Sequence, residues 1–296
     1  MEIRNLTTFI QVAELNSFTR AADALGYSQS TVSFQIKQLE DELGCRLFDR
    51  INHSITLTDK GNELLEYAQK VYRITDEFTQ NLNSNKPLTA NLHILAPHSV
   101  CEEMMQRNYL DFRRKYPGIS LKFTSADTHD MLHMLERNEG DVMLALDTHT
   151  YRHDCVIAKE VPVEMHFVTG AESKYAKKGS VTLAQLSEYP FILTEKNAGY
   201  RRPLDRLMAK HSLEITPILE MERTDLIAKI LEGGVGVSFL PDFVTRRGVE
   251  EGKLVYLDVP EAKIDIWKQL IYHKSKWISR ALGALIEYIK ENEFNN

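Results

Sequence analysis

The chain has 296 residues, 43% hydrophobic and 26% charged, ordinary values for a globular protein with room for about two domains. Lysine and arginine total 36 against 42 aspartate and glutamate, and the formal charge of −6 excludes a uniformly basic coat for nucleic acid. No apolar run approaches the ~20 residues that span a bilayer, and Glu2, Arg4 and Glu14 break up the opening stretch, so a cytoplasmic location without membrane contact is expected. Cys45, Cys101 and Cys155 are too scattered for a disulfide framework.

Residues 1–58 read as short helices followed by a small hairpin. Phe9, Val12 and Phe18 begin an apolar face, and Ser17 is placed to cap a helix carrying Ala21, Ala22 and Leu25. Gly26 should stop that helix in a left-handed conformation. Ser28 can cap the next one, where Val32, Ile36, Leu39 and Leu43 recur at steps of three or four until Gly44. Two helices around a glycine turn make a helix-turn-helix unit. The hairpin that follows, bending at Asn52-His53, would be its wing.

A long helical pattern then runs through residues 59–87. Leu64, Ala68, Val71, Phe78 and Leu82 form a narrow, heptad-like stripe suited to pairing with a second copy of the chain. The polar, breaker-rich NLNSNKP segment at Asn81–Pro87 ends it. Beyond it the pattern alternates. Strands are expected at Leu92–Ala96, Ile119–Ser125, Val142–Leu146, VEMHFVTG, YPFILTE, Ile218–Met221 and after Gly236, and helices at Ser99–Tyr116, Thr128–Asn138, after Tyr200 and Thr224–Glu232. Such alternation predicts helices over a largely parallel sheet. The strand Ile266–Ile271 and the helix Ser279–Lys290 would return to the first lobe.

The second helix of the helix-turn-helix carries a polar face of Ser28, Gln29, Ser30, Thr31, Ser33, Gln35 and Lys37. Short hydroxyls and amides reach phosphates and base edges at close range. Ala21-Ala22, Ser28-Gln29-Ser30, Val32-Ser33-Phe34-Gln35-Ile36-Lys37-Gln38-Leu39-Glu40, Leu43 to Arg50 and Leu57-Thr58-Asp59-Lys60-Gly61 follow one another at fixed spacing, and Gly234 to Pro241 has the form Gly-Val-Gly-Val-x-x-Leu-Pro. This series resembles the LysR-type transcriptional regulators over the whole chain. The resemblance implies an α+β multidomain protein. Residues 1–58 would be a winged helix-turn-helix and 59–87 a linker and dimerisation helix. Residues 88–296 would be a two-lobed α/β domain like that of periplasmic binding proteins, with lobe I at about 88–161 and 266–296 and lobe II at about 162–265. It further implies double-stranded operator DNA and a small-molecule effector as partners, and a homodimer through the linker helices that pairs into a homotetramer.

By the same resemblance Gln29, Ser30, Ser33 and Phe34 would face base edges, and Thr31, Gln35 and Arg50 would hold phosphates. Ser28, Lys37 and His53 complete the expected DNA face. Two departures from the family pattern stand out. Phe34 replaces a residue that is often basic or polar, so it can meet a thymine methyl but cannot bridge to guanine. The wing lacks the usual arginines, and residues 1–60 carry a net charge of −2. Phosphate attraction per subunit should therefore be modest, and several subunits on one site would be needed.

Ligands of open α/β folds bind beyond the carboxyl ends of strands, near helix N-termini. The ends available are His98-Ser99-Val100, Asp127-Thr128, Asn197-Ala198-Gly199-Tyr200-Arg201 and Thr224, and the resemblance points to Ser99 and Thr128 in particular. Helix capping is the plain structural role for Ser99, Thr128 and Thr224. Hydroxyls and free backbone N–H groups at Ser99 and Thr128, close backbone approach at Asn197-Ala198-Gly199, Arg201 as a charge partner and Tyr200 as a wall favour a small anionic effector, against which stand Glu195, Asp127 and Glu222. His129 and His133, four apart on a helix, have a metal-ligand spacing without a fixed third ligand. Cys101, near His98 at a helix N-terminus, is a candidate low-pKa thiol. These two features define an alternative, a redox- or metal-responsive regulator of the same fold. A hydrolase is a remote alternative. No phosphate loop, dinucleotide fingerprint or nucleophile elbow is present, so neither an enzyme nor a bound cofactor is expected.

Overall fold

The computed structural model describes residues 2–51, 54–81, 88–176 and 179–294. Its first unit packs α1 (Ile3–Leu15), α2 (Phe18–Leu25) and α3 (Gln29–Leu43) beneath the hairpin β1 (Phe48–Ile51) and β2 (Ser54–Leu57). Buried Phe9, Phe18, Ala21, Ala22, Val32, Ile36, Leu39 and Phe48 form the core, with the Phe9 and Phe18 rings 5.3 and 5.8 Å from Phe48. Ser17 Oγ caps α2 by accepting from Arg20 N, and Ser28 Oγ caps α3 by accepting from Thr31 N. Gly26 turns the chain between them at φ 68°, a conformation that disfavours any residue with a Cβ. Glu40 stays out of the outer polar face, because its carboxylate accepts from Leu47 N at 2.7 Å and fastens the start of the wing.

The long helix α4 (Asp59–Asn81) departs from the expected dimer stripe. Leu65 and Ala68 are buried on the helical core and Leu64 packs beside them, because the three short helices need a fourth surface to close their apolar face. Tyr72 meets Trp277 edge-on at 4.4 Å, and Gln69 donates to Ser275 O. Val71 is 38% exposed. The side chain of Phe78, and Leu82 altogether, lie outside the described residues.

The remaining chain builds two five-stranded sheets. In chain order come β3 (Ala90–Leu95), α5 (His98–Arg107), α6 (Tyr109–Lys115), β4 (Ile119–Thr124), α7 (Thr128–Glu136), β5 (Val142–Asp147) and β6 (Cys155–Val163). Then β7 (Met165–Gly170), α8 (Leu183–Ser187), β8 (Phe191–Leu193), α9 (Arg201–Lys210), β9 (Pro217–Glu220), α10 (Thr224–Glu232), β10 (Val237–Pro241), α11 (Asp242–Glu250) and β11 (Leu254–Leu257) make the second lobe. The strand β12 (Ile266–His273) and α12 (Arg280–Asn292) return to the first. The strand orders are β4-β3-β5-β12-β6 and β11-β7-β10-β8-β9.

Neither sheet is largely parallel. In the first, β12 runs antiparallel to β5 and β6, and in the second β7 runs antiparallel to β10 and β11. A chain that crosses between lobes enters each sheet from the other side, which imposes the reversal. One apolar cluster spans both, from Ile94 and Leu144 to Phe167 and Phe239.

The single helix expected from Ser99 to Tyr116 is two, broken at Asn108. Asn108 Nδ2 donates to Asn292 O and to Glu293 Oε1, and Asn108 O accepts from Tyr288 Oη, so the break serves to dock α12. Beside it Lys268 is buried against Glu103 at 2.8 Å and Glu293 at 3.5 Å. Lys268→Met would leave buried Glu293 without a cation and Glu103 with Arg107 alone, and should cost about 3 kcal/mol. A lower urea midpoint for the α/β domain is the expected measurement.

Candidate functional site

On α3, Gln29, Ser30, Ser33, Phe34 and Lys37 recur at steps of one, three and four, which places them on one outward stripe. Gln29 Nε2 donates to Ser33 Oγ at 2.9 Å, and Ser28 Oγ lies 2.8 Å from both Ser30 Oγ and Thr31 Oγ1. Phe34 is 67% exposed, an unusual cost for a ring with no partner in its own chain's core. Gln35 corrects the expectation of a phosphate contact. It is buried, and its Oε1 accepts from Thr8 Oγ1 at 2.6 Å, so it ties α3 to α1. Arg50 pairs with Ile55 in the wing ladder, but its side chain, like His53 entirely, lies outside the described residues.

The second site is a cavity of about 320 Å³ between the two sheets. It opens at the carboxyl ends of β3, β4, β5, β8 and β9, through the segments Pro97–Ser99, Ser125–Thr128, Leu146, Thr194–Tyr200 and Glu222–Thr224. All five belong to the parallel parts of the two sheets, so their carboxyl ends lie on the same side and face it. The lobes nearly touch at one corner, where a Cβ on Gly199 would stand 2.2 Å from Leu146 O. Across the mouth Ser125 Oγ, in the first lobe, donates to Glu222 Oε1 in the second at 2.9 Å.

Of the residues expected at the cleft, His98, Ser99, Thr128, Asn197, Gly199, Tyr200 and Thr224 line the cavity. None of the three hydroxyls is a helix cap. Pro97, Asp127 and Arg223 hold the cap positions of α5, α7 and α10, so each hydroxyl lies one or two residues inside its helix. Thr224 Oγ1 and His98 Nδ1 are buried without a hydrogen-bond partner. Burial holds the Tyr200 phenol well above its ordinary pKa, leaving a neutral aromatic wall.

Val100 and Arg201 do not reach the cavity. Val100 is fully buried in the apolar cluster. Arg201 is 2% exposed, and its guanidinium donates to Thr194 O at 2.7 Å and to Asp205 at 2.9 Å, with Glu220 at 3.3 Å. A guanidinium next to a strand end satisfies its donors more cheaply within the lobe than across a solvated cleft. Sequence spacing shows adjacency to the cleft but not this inward rotation.

His129 and His133 stack edge-on with their Nε2 atoms 3.3 Å apart, and His133 Nδ1 is bound by Glu136. Among the described residues, no group of three potential ligands contains both. A cluster that sequence spacing did not reveal is His98, Glu102 and Asp225, which joins α5 to α10 across the lobes. Its signal was the i, i+4 spacing of His98 and Glu102, with the third member supplied by a distant segment.

Of the two roles open to Cys101, the buried thiol fits and the low-pKa thiol does not. Burial pushes this thiol up to about 11, and its Sγ donates to Ala96 O. Cys155 is likewise raised to about 11 by burial.

Residues 85–293 match the family model described as LysR substrate binding domain, and residues 3–62 match the bacterial regulatory helix-turn-helix protein, lysR family. The chain belongs to the LysR family. It is a LysR-type regulator with an N-terminal helix-turn-helix and an effector-binding domain of two α/β lobes. It is 28% identical over 293 residues to the uncharacterized HTH-type transcriptional regulator YwqM of Bacillus subtilis, covering 98% of this chain and 99% of that one. Identity to the RuBisCO operon transcriptional regulator of Allochromatium vinosum is 27%, covering 98% and 95%. Among solved structures, a full-length OxyR cysteine variant from Pseudomonas aeruginosa aligns with a TM-score of 0.59 at 21% identity, over 99% and 95% of the two chains. CrgA of Neisseria meningitidis aligns at 0.57 and 20%, over 98% and 99%. These likenesses establish the fold of this LysR-type chain.

The protonated state of Cys101 has a direct readout. A thiol with pKa about 11 holds on the order of a hundredfold less thiolate at pH 7.5 than free cysteine. Iodoacetamide labelling of Cys101, followed by mass spectrometry, should be correspondingly slow and should accelerate as pH rises towards 11.

Proposed function

We propose that this LysR-type regulator reads operator DNA with the outward stripe of α3 and the wing, and that a small molecule in the interlobe cleft controls the reading. The single observation behind the DNA face is the exposed series Gln29, Ser30, Phe34 and Lys37 on a helix whose opposite face is buried to Leu39. Gln29, with an amide donor and acceptor, reads a base edge, and Phe34 meets a thymine methyl. Lys37 and Arg50 attract phosphates. Ligand occupancy changes lobe closure, and closure changes the angle between subunits and the bend imposed on the DNA.

Gln29→Ala should lose about 1–3 kcal/mol of discrimination between operator and competitor DNA in a gel-shift titration. Lys37→Ala should weaken all sequences alike and reduce the slope of affinity against salt by about one. Unchanged discrimination in the first variant would remove the α3 stripe as the reading surface.

The assembly reading is a homodimer through the distal half of α4, paired into a tetramer on two half-sites. With Leu64 and Ala68 committed to the subunit core, the seam begins at Val71. Val71→Asp would bury a charge there without a partner, so sedimentation should show dissociation together with loss of operator affinity.

Of the features that favour an anionic effector, Ser99, Thr128, Asn197, Gly199 and Tyr200 line the cavity, but Arg201, the one that would supply positive charge, turns away from it. The charge of the cleft supports a different ligand class, argued next.

A further inference from the structure

We infer that the molecule recognised in the interlobe cleft carries a protonated amine, and that Glu222, with Asp127 and Glu195, receives it. The inference rests on the reading of this cavity as the effector site and adds the chemistry of the ligand.

The first observation is charge. Four carboxylates, Asp127, Asp130, Glu195 and Glu222, line the cavity, and no lysine or arginine is among its lining residues. Arg201, next to Tyr200, is neutralised inside its own lobe by Asp205 and Glu220, and Arg223, between Glu222 and Thr224, is paired with Asp225. The N-terminus of α7, which would otherwise attract an anion, is already occupied by a carboxylate, since Asp127 Oδ1 accepts from Asp130 N at 2.9 Å. An entering carboxylate would meet four like charges, offset among the helix starts of α5, α7 and α10 by the first turns of α5 and α10 alone. An ammonium group meets the reverse.

The second observation is independent of charge. Thr224 is 2% exposed, lines the cavity, and its Oγ1 has no partner. A buried hydroxyl without a hydrogen bond is costly, and a ligand donor removes that cost. An ammonium has three donors and no acceptor, so it needs acceptors from several directions. Glu222 and Thr224, two residues apart at the start of α10, offer a carboxylate and a hydroxyl from one lobe, and Asp127 offers a second carboxylate from the other.

Position completes the argument. Glu222 already bridges the lobes through Ser125 Oγ. A cation seated between Glu222 and Asp127 would replace that single neutral-donor bond with charge-assisted bonds to both lobes. Binding would therefore favour the closed arrangement over the open one, which is the differential affinity that a switch requires. The volume of about 320 Å³ suits a small ligand such as an amino acid or a short diamine.

The test is titration calorimetry on the full-length chain with putrescine, agmatine, L-lysine and L-glutamine, against succinate, citrate and benzoate. Saturable heat with at least one amine is expected, weakened about tenfold or more in Glu222→Gln and in Asp127→Asn. Asparagine retains the capping oxygen of α7, so the second variant keeps the helix start. The double variant should also gain affinity for succinate, a result that loss of folding cannot produce. Binding confined to the acids would overturn the amine while leaving the cleft as the effector site. Amine binding unchanged in both single variants would place the amine elsewhere and equally overturn it. Absence of heat with every probe would count against the amine and the cleft reading together.

Discussion

The chain crosses between its two sheets twice, at Glu164 and again between Leu257 and Ile266, and the α/β domain is organised by that double crossing. Each crossing sends an antiparallel strand into the opposite sheet, β7 beside β10 and β12 beside β5. The parallel strands are thereby left with their carboxyl ends facing one another. A cleft bounded by strand ends and helix starts follows without any residue chosen for a ligand. Gly199 then sets how near the lobes come, because its missing side chain lets the backbone rest against Leu146 O.

The helix-turn-helix solves a different problem. About sixty residues bury only a marginal core by themselves, and α4 adds a further wall through Leu65 and Ala68. The same helix then runs past the first lobe, where Tyr72 meets Trp277 and Glu14 accepts from Trp277 N. Burial raises the Glu14 carboxyl above its usual range, with Lys276 opposing the shift. Lys276 is itself paired with Asp141 at 2.7 Å. A half-buried carboxylate, a paired lysine and an aromatic contact thus link the helix-turn-helix unit to the lobe that carries half of the cleft. A change in lobe position has a short physical route to α1 and α4.

Charge separates the two faces of function. The helix-turn-helix unit is weakly acidic overall, and the stripe of α3 presents Gln29, Ser30 and Lys37 outward. The cleft is acidic because no lysine or arginine lines it, Arg201 being turned inward and Arg223 being paired with Asp225. Both arrangements put the decisive group where a count of charges along the chain would miss it.

Much of this was determined by sequence alone. Ser17, Gly26, Ser28 and Gly44 mark the starts and stops of α2 and α3, since caps and left-handed turns depend on residues only a few positions apart. The apolar period of Val32, Ile36 and Leu39 placed the buried face of α3, and the alternation after Pro87 placed most strands. The strand Cys155–Val163 and the elements from Asp242 to Leu257 were not legible, because their burial patterns follow neither a period of two nor one of 3.6 cleanly. The tertiary structure alone decided that Gln35 turns inward to Thr8, that Asn108 breaks a helix to hold α12, and that Arg201 leaves the cleft for Asp205 and Glu220. In each case a polar side chain chose between partners far apart in the chain. That choice depends on which surfaces folding brings together, a property no local pattern carries.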